Sequence, residues 1–236
     1  MTDQQELPTI SIALVTCKRL DVAMRTVTST CANLGYPRDR RGWYIGDDGS
    51  PEGEFSMIKK QVLGLGENLF GDHNQRMRNP GQEDTFFAGK GWNLALGLSH
   101  QRSDFVLWLE DDWELDHPLD LVPYVRLLQE NDEVGMVSFR ILSVGNEVKT
   151  VGHDGLHYLE YMRTTQYSYS GNPQLRHARY TKHYGVFAED VNPGGIELNQ
   201  DDKYRLDVNN GPKIWRPAGI DPWGAWKHIG QEKSWK

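Results

Sequence analysis

The fold of this 236-residue chain is decided by one stretch, Asp104-Phe105-Val106-Leu107-Trp108-Leu109-Glu110-Asp111-Asp112. Its apolar centre is continuous rather than alternating, which is typical of a strand buried on both faces of a parallel sheet. Three acidic residues follow this centre directly. Open α/β sheets bind their ligands beyond the carboxyl ends of their strands, so the stretch predicts a central strand that ends at a binding crevice.

Two β-α units precede this strand and predict parallel neighbours for it. Residues 9–16, TISIALVT, form a β-branched apolar run that indicates another buried strand. The apolar residues of the following helix are Leu20, Ala23, Met24, Val27, Cys31 and Leu34, with Gly35 and Pro37 as stop signals. A second unit starts at residues 43–45, breaks at 46–49 and restarts as a helix with Ser50 at its cap and Pro51 in its first turn. The pattern indicates an α/β fold with a mostly parallel central sheet flanked by helices.

The remaining segments are expected to extend this sheet and then depart from the parallel pattern near residue 141. We expect, in chain order, a short strand at 68–70, a loop to residue 88, a helix around 92–99, a helix around 119–130, a strand around 134–141, a hairpin at 149–158 and a helix near 198–208. The chain has no internal repeat and no low-complexity linker. Residues 1–236 are therefore predicted to form one continuous domain.

Composition favours a globular protein and disfavours several functional classes. The chain is 38% hydrophobic and 25% charged, and its net charge of −7 argues against binding nucleic acid by charge alone. No apolar run approaches the roughly 20 residues that a membrane-spanning helix needs, and the first eight residues lack the features of a signal peptide. We expect a cytoplasmic protein with no membrane partner. Cys17 and Cys31 are too few for a zinc site and are interpreted as reduced core residues.

Charge is distributed unevenly along the chain. Residues 1–160 carry 15 Lys and Arg against 25 Asp and Glu, whereas residues 161–236 carry 11 against 8. Residues 161–184 contain no acidic residue, but they include five Tyr and four basic residues. An anionic or sugar-like partner is expected to meet the chain there, on a surface that includes Arg176, Arg179 and Lys182. A solvated loop is the alternative.

Polar residues follow three strands of the predicted sheet, at Thr16–Arg19, Asp47–Ser50 and Glu110–Asp112. One such cluster is more often a turn or a helix cap, but three in one sheet would converge on one crevice. Adjacent strand residues point to opposite faces, so we expect Glu110 and Asp112 to share a face and Asp111 to turn toward another partner. Two carboxylates in that arrangement suit Mg²⁺ or Mn²⁺, and a solvated acidic turn is the alternative.

The order of these motifs resembles the GT-A fold glycosyltransferases of the family 2 type. The family pattern is a first strand ending in a Thr/Tyr-Asn-Arg-like loop, then Asp-Asp-Gly-Ser, then a Gly-x-x-x-Asn helix start and an Asp-x-Asp strand end. The matching residues are Thr16-Cys17-Lys18-Arg19, Asp47-Asp48-Gly49-Ser50, Gly89-Lys90-Gly91-Trp92-Asn93 and Glu110-Asp111-Asp112. The match covers residues 9–115, which the resemblance implies to be the half that binds a nucleotide sugar. Residues 116–236 would then be the acceptor-binding half.

The resemblance implies roles for the matching residues of the donor half. The residues that would bind the nucleotide sugar are Thr16, Arg19, Lys90 and Asp111. Asp47 or Asp48 would face the base, where a carboxylate suits the N3–H of uracil. Asn93 is expected to hold a loop rather than to react.

The resemblance also implies a metal site for Mn²⁺ or Mg²⁺. Asp112 stands at the position that usually contacts the metal in this family. Glu110 replaces the usual Asp and reaches one methylene further, and it is the second candidate ligand. His228, near the C-terminus, is similar to a late His that closes the metal site in some family members.

The acceptor half contains a segment similar to the family's general-base motif. It begins at Gly194-Gly195, and Asp201 matches the position of the base that takes the proton of the acceptor hydroxyl. Asp202 is the alternative base. Either residue would otherwise cap a helix.

These expectations together describe a metal-dependent, inverting glycosyltransferase. It would move a sugar from a nucleoside diphosphate donor, UDP-linked, to a hydroxyl of a protein, nucleic acid or glycan. A nucleotidyltransferase is one alternative, but it would normally open with a Gly-rich phosphate loop, which residues 14–20 lack. A noncatalytic module that binds a sugar nucleotide or a glycan is the other.

Overall fold

The computed structural model describes residues 6–75, 89–139, 147–164, 167–189, 191–218 and 225–230. The strands are β1 (Ile10–Thr16), β2 (Leu34–Gly35), β3 (Arg41–Asp47), β4 (Asn68–Asn74), β5 (Phe105–Glu110), β6 (Trp113–Leu115), β7 (Leu119–Asp120), β8 (Val134–Ser138), β9 (Val148–His153), β10 (Leu156–Tyr161), β11 (Gln174–His177), β12 (Lys213–Pro217) and β13 (Trp226–His228). The helices are α1 (Leu20–Asn33), α2 (Glu52–Gly64), α3 (Gly89–His100), α4 (Val122–Glu130), α5 (Ala178–Tyr184) and α6 (Pro193–Arg205).

A nine-stranded sheet in the order β4-β3-β1-β5-β11-β8-β12-β10-β9 runs through the described structure. β1 pairs in parallel with β3 and β5, β3 with β4, and β8 with β12. β11 and β10 run against their neighbours on both sides. Seven of these nine strands therefore point the same way, which confirms the predicted mostly parallel α/β sheet. The parallel pair β8–β12 shows that parallel pairing continues beyond residue 141, where the sequence predicted its end.

Helices cover both faces of the sheet because successive strand residues point to opposite sides. Ile12 and Leu14 of β1 belong to one apolar core, and Ala13 and Val15 belong to the other. The first core takes its helical residues from α1, α2 and α4, and the second takes them from α3, α5 and α6. The near-continuous apolar character of residues 9–16 follows from this burial on both faces.

The parallel register brings three strand ends to one edge of the sheet. Thr16 at the end of β1 lies opposite Asp47 of β3, and Val15 lies opposite Glu110 of β5. The loops that follow β1, β3 and β5 are therefore neighbours, as the sequence predicted.

The boundaries around the second β-α unit differ from the sequence prediction. α2 begins at Glu52 with Pro51 at its cap position, because the Ser50 hydroxyl accepts a hydrogen bond from the Lys18 N–H of the neighbouring loop. The strand expected at 68–70 extends to Asn74, since its backbone continues to pair with β3. The loop predicted to follow lies, from residue 76 to 88, outside the described residues.

Later boundaries also shift. α4 begins at Val122 rather than residue 119, because residues 119–120 pair with residues 34–35 as β7 and β2. α6 spans 193–205 instead of 198–208, since the Asn192 side chain accepts a hydrogen bond from the Gly195 N–H and Pro193 occupies the first helical position. β8 ends at Ser138, and residues 140–141 of the expected strand lie outside the described residues.

The predicted hairpin and the predicted burial of both cysteines as free thiols are confirmed. The hairpin of β9 and β10 turns at Asp154 and Gly155, both of which have positive φ angles. Cys17 and Cys31 are free and buried, and burial raises the pKa of both thiols to about 12. Within the described ranges, every helix is too short or too polar to cross a membrane.

Candidate active site

The loop after β1 is fixed to both neighbouring strand ends. The Thr16 hydroxyl donates to Asp111 Oδ2 at 2.8 Å, and the Thr16 carbonyl accepts from the Asp48 N–H at 2.9 Å. The Lys18 N–H donates to Ser50 Oγ at 2.7 Å, and Lys18 has a φ of 52°, which lets the chain turn sharply before α1. These contacts confirm that the three predicted clusters meet at one edge of the sheet.

Asp111 and Asp112 converge on Arg19. Arg19 Nη1 lies 3.0 Å from Asp111 Oδ1 and 3.0 Å from Asp112 Oδ2. Burial raises the pKa of Asp111 to about 7, although the Arg19 charge and the Thr16 hydrogen bond act in the opposite direction. β5 ends at Glu110, so strand alternation does not extend to Asp112, and the shared face of Glu110 and Asp112 stays a prediction. Asp111 does turn toward another partner, Thr16.

The C-terminal strand closes over Asp112. β13 pairs with β6, and the Ile229 N–H donates to the Asp112 carbonyl at 2.8 Å. His228 Nε2 lies 3.2 Å from Asp112 Oδ2, and a side chain at Gly230 would collide with both Asp112 and Arg19. The structure thus brings His228, 116 residues away in sequence, to the carboxylate that the sequence predicted as its co-ligand.

The donor set around Asp112 fits a divalent cation. Two ligands of one octahedral Mg²⁺ or Mn²⁺ lie about 3 Å apart, close to the 3.2 Å between Asp112 Oδ2 and His228 Nε2. Asp112 Oδ1 is buried and has no hydrogen-bond partner among the described residues. No third His, Cys, Asp or Glu completes a ready-made cluster in the described part of the chain. A cation here would have to complete its shell with water or with a ligand's oxygen atoms.

Asp47 and Asp48 follow β3 and differ in exposure. Asp47 is fully buried, and its Oδ1 accepts the Ser50 N–H at 2.6 Å, so it shapes the turn. Burial raises the pKa of Asp47, against the opposing effect of the Ser50 hydrogen bonds. Asp48 is only partly buried. Of the two candidates for the base-facing carboxylate, Asp48 is therefore the more accessible to a ligand.

The start of α3 supplies the remaining donor-half residues. Lys90 lies in the first turn of α3 and is partly buried. The Asn93 side chain donates to the Phe187 carbonyl at 3.0 Å and to Glu189 Oε1 at 2.9 Å, and it accepts from the Phe187 N–H at 2.8 Å. The predicted loop-holding role of Asn93 is confirmed.

Glu110 faces a second carboxylate, which sequence reasoning missed. Glu197 Oε1 accepts a hydrogen bond from the Gly171 N–H. A Cβ on Gly171 would collide with Glu110 Oε1 and would lie 3.2 Å from Glu197 Oε1, so both carboxylates border the same glycine. Burial raises the pKa of Glu110 well above its usual range, and the Asp112 and Glu197 charges add to that rise. The sequence contained a signal for Glu197, because it lies four residues before Asp201, and residues at that spacing share one face of a helix.

Asp201 and Asp202 occupy different environments on α6. Asp201 is buried, and its two oxygens accept the N–H groups of Tyr167 at 2.9 Å and Tyr169 at 3.1 Å. Asp202 is exposed and lies 3.6 Å from Arg205 one turn later. Asp201 thus holds the segment that leads to Gly171. Its predicted role as general base stays a prediction.

The basic surface predicted from residues 161–184 is wrong in two of its three named residues. Arg176 has 0% exposure and stacks on the rings of Tyr169, Tyr180 and Phe187. Arg179 donates to the carbonyls that end and follow α4, those of Leu128, Asn131 and Val134. Lys182 is exposed. Arg176 and Arg179 therefore bind other parts of the fold. Of the three residues, Lys182 is the one whose side chain is exposed to a partner.

Solved structures share this fold at low sequence identity. TarS from S. aureus, in complex with UDP-GlcNAc, aligns with a TM-score of 0.65 at 14% identity, covering 95% of this chain and 59% of that chain. Mannosyltransferase PcManGT from Pyrobaculum calidifontis, in complex with GDP-Man and Mn²⁺, aligns at 0.59 with 14% identity, covering 91% and 56%. GalNAc-T7, with UDP, GalNAc and Mn²⁺, aligns at 0.63 with 13% identity, covering 98% and 46%. These similarities show the GT-A glycosyltransferase fold and confirm the predicted fold class.

The match is one of structure rather than of sequence. No known family profile and no curated protein sequence matches the chain. The chain spans between 46% and 59% of the length of these three solved chains.

Proposed function

We propose that this protein is a metal-dependent, inverting glycosyltransferase that moves a sugar from a UDP-linked donor to a hydroxyl acceptor. The observation that carries the proposal is the convergence of Thr16, Arg19, Asp111, Asp112 and His228 at the carboxyl edge of β1 and β5. The GT-A fold supports it, as do the nucleotide, nucleotide-sugar and Mn²⁺ ligands of the structural neighbours.

The donor would lie across the ends of β1, β3 and β5. Asp48, the accessible carboxylate after β3, would accept the N3–H of uracil, while buried Asp47 keeps the turn in shape. Arg19 and Lys90 carry the positive charge that a diphosphate needs, and Thr16 fixes Asp111, whose Oδ1 lies 3.0 Å from Arg19 Nη1. An arginine fork binds phosphate oxygens in pairs, which orients the leaving group as well as neutralising it.

Asp112 and His228 would hold the metal, as their 3.2 Å separation allows. A bound Mn²⁺ or Mg²⁺ supplies charge neutralisation to the diphosphate as it leaves. Glu110, the third predicted ligand, borders Gly171 and Glu197 instead. We therefore propose Glu110 as a residue on the sugar side of the site rather than as a direct ligand.

The general base is proposed to be a carboxylate of α6. An inverting transfer needs a base that takes the acceptor proton as the hydroxyl attacks the anomeric carbon. Asp201 is the residue that the sequence resemblance favours, but both of its oxygens are engaged by backbone N–H groups. Glu197 lies on the same helix and faces Glu110 at the end of β5. Because Glu197 Oε1 also accepts a backbone N–H, that of Gly171, it is the position of Glu197 beside Glu110 that favours it as the base, with Asp201 fixing the adjoining segment.

The acceptor is proposed to bind the half formed by residues 116–236, on the side of β5 where Glu110 and Glu197 meet. Its chemistry is a hydroxyl group of a protein, nucleic acid or glycan. A noncatalytic sugar-nucleotide-binding module is the second candidate, because the contacts of Asp201 would equally suit a protein without a base.

Donor hydrolysis separates the enzyme from the binding module. The full chain is incubated with a panel of UDP- and GDP-sugars in the presence of Mn²⁺ or EDTA, and free nucleotide is measured over time. The enzyme is expected to release UDP only with Mn²⁺, since water can replace an absent acceptor slowly. A donor that binds, by thermal shift, but is never cleaved with any candidate acceptor would favour the binding module.

A further inference from the structure

Arg19 occupies the place of a cation within the acidic cluster. Its Nη1 atom lies 3.0 Å from one oxygen of Asp111 and 3.0 Å from one oxygen of Asp112. His228 Nε2 approaches that same Asp112 oxygen at 3.2 Å. The Arg19 side chain is only 14% exposed, so the charge is held inside the site rather than in solvent.

We propose that Arg19 is an internal counter-ion of Asp111 and Asp112 that competes with the divalent metal for Asp112, and that the donor diphosphate draws it away. The inference rests on the proposed function, because it assumes that Asp112 and His228 hold the metal. Its consequence is that metal and nucleotide bind together: each is weak alone and each strengthens the other.

The competition follows from shared atoms. Asp112 Oδ2 accepts the Arg19 hydrogen bond at 3.0 Å and is also the oxygen nearest His228. A metal held by that oxygen and by His228 would lie within a few ångströms of the guanidinium. Like charges at that distance repel strongly where burial weakens screening by solvent. The metal therefore binds well only when Arg19 has moved.

Arg19 can move without unfolding its loop, because the backbone is held independently of its side chain. The Thr16 carbonyl accepts the Asp48 N–H at 2.9 Å, Lys18 N donates to Ser50 at 2.7 Å, and the Arg19 carbonyl accepts the Ala23 N–H at 2.9 Å. Rotation of the side chain is sufficient to release the carboxylates. A diphosphate beyond the strand ends offers the guanidinium negatively charged oxygens in place of the carboxylates. Arg19 would then pair with the diphosphate, and the carboxylate of Asp112 would pair with the metal.

The coupling is reciprocal by thermodynamic necessity. If UDP removes Arg19 from the carboxylates and so strengthens Mn²⁺ binding, then Mn²⁺ strengthens UDP binding by the same factor. Asp111 also accepts the Thr16 hydroxyl at 2.8 Å, a contact that does not involve Arg19, so Asp111 is expected to stay in place when Arg19 leaves.

The test is Mn²⁺ binding by the full chain, counted from the electron paramagnetic resonance of free Mn²⁺, with and without UDP at constant pH. In the wild type, UDP is expected to raise Mn²⁺ affinity about tenfold or more. Arg19→Gln is expected to bind Mn²⁺ alone about tenfold more tightly than the wild type, and the factor by which UDP raises Mn²⁺ affinity should be smaller in this variant than in the wild type. Arg19→Lys keeps the charge and should remain close to the wild type.

The matched control is Arg25→Gln on α1, the helix that Arg19 precedes, because the exposed ion pair of Arg25 with Glu114 at 2.8 Å lies outside the cluster. It should bind Mn²⁺ as the wild type does. Melting curves establish that each variant is folded, and Mn²⁺ alone should raise the melting temperature of Arg19→Gln more than that of the wild type.

Two results would overturn the inference, and they differ in what else they overturn. If Mn²⁺ binds the wild type with UDP and is lost in Asp112→Asn, but Arg19→Gln has unchanged or weaker Mn²⁺ affinity, the counter-ion role is wrong and the metal site stands. If Mn²⁺ binds neither the wild type with UDP nor any variant, the proposed metal site falls together with the inference.

Discussion

The carboxyl edge of β1, β3 and β5 and the segment from Tyr161 to Arg205 both contain charged side chains that the sequence singles out, but the two regions use them differently. At the edge, Thr16, Arg19 and Asp112 meet around one point, as their positions after consecutive strands require. In the later segment, Arg176 is buried in the core. A charged residue at a strand end is placed by topology, whereas residue type alone does not tell whether a charge in a mixed segment serves a ligand or the fold.

In the later segment, most of these charged side chains bind backbone groups of the fold. The Arg179 guanidinium binds the carbonyls at the end of α4, where unpaired acceptors and the helix dipole favour a cation. Asp201 binds two backbone N–H groups of the 167–169 segment. The exception is Glu197, whose carboxylate borders Gly171 opposite Glu110. The comparison therefore predicts large losses of turnover at the edge and losses of stability in most of the later segment.

The largest effect is expected at Asp112. Asp112→Asn should lower Mn²⁺-dependent turnover roughly 10³-fold or more, because it removes the charged ligand of the proposed metal. Its melting temperature should stay close to that of the wild type. Steady-state kinetics with varied Mn²⁺ is the measurement, and Glu114→Gln, two residues later on β6, is the control. Near-normal turnover in Asp112→Asn would show that the proposed metal site at the carboxyl edge of the sheet is not needed for catalysis.

The next effect separates the carboxylates of α6. Glu197→Gln should lower turnover by roughly 10²–10⁴ while UDP affinity and stability remain unchanged, the range for a positioned general base. Asp201→Asn should instead lower stability by about 1–3 kcal/mol, because one backbone N–H loses its acceptor. Asp202→Asn is the exposed control. If Asp201→Asn loses turnover at full stability while Glu197→Gln stays active, the sequence-based assignment of the base is right and the geometric one is wrong.

Arg176 provides the sharpest stability test of the comparison. Arg176→Ala should destabilise the fold by roughly 2–4 kcal/mol, since it removes a fully buried side chain that stacks on three rings. Lys182→Ala, on an exposed face of α5, should change stability by less than about 0.5 kcal/mol. Urea unfolding measures both. An Arg176→Ala variant of wild-type stability with impaired acceptor use would restore the basic-surface prediction.

A smaller effect is expected at the base pocket. Asp48→Ala should weaken UDP binding by about 1–3 kcal/mol, the loss expected for one charge-assisted hydrogen bond. Asp39→Ala, close to the opposite end of the same strand and highly exposed, is the matched control. Calorimetry with UDP compares them. Equal affinity for UDP in both variants would show that the uracil ring does not bind at the end of β3.

The smallest effect lies outside the active site. Burial acts to raise the pKa of Asp207, but hydrogen bonds from Asn209, Gly211, His183 and Tyr184 outweigh it and lower that pKa to about 2. The folded pKa is below the unfolded one, so this stabilisation is present above about pH 4 and is lost as pH falls toward 2. Asp207→Asn should lower stability by about 1–2 kcal/mol at pH 6, and the difference from the wild type should shrink between pH 4 and 2. A difference that is constant with pH would show that the ionised carboxylate contributes nothing.

The sequence predicts the strand-end site better than the arrangement of residues 116–236 for a physical reason. Residues 9–16 and 104–109 are apolar on both faces, so their burial and direction are readable, and the polar residues that follow must share an edge. The partnership of Glu110 with Glu197 depends on how α6 packs against the segment before Gly171, which no local pattern encodes. The burial of Arg176 depends on Tyr180 of α5 and on Tyr169 and Phe187 from the connecting segments before β11 and after α5. The contribution of His228 was predicted only through family resemblance.

The position of Mn²⁺ in a crystal of the protein with UDP is the sharpest test of the proposed metal site. An anomalous difference map recorded near the manganese edge shows the ion independently of any assumed ligand. The account predicts one peak about 2 Å from a carboxylate oxygen of Asp112 and from His228 Nε2, with the Arg19 guanidinium turned from Asp112 to the diphosphate. A peak bound by other residues, or UDP bound away from the ends of β1, β3 and β5 with no peak beside Asp112, would contradict it.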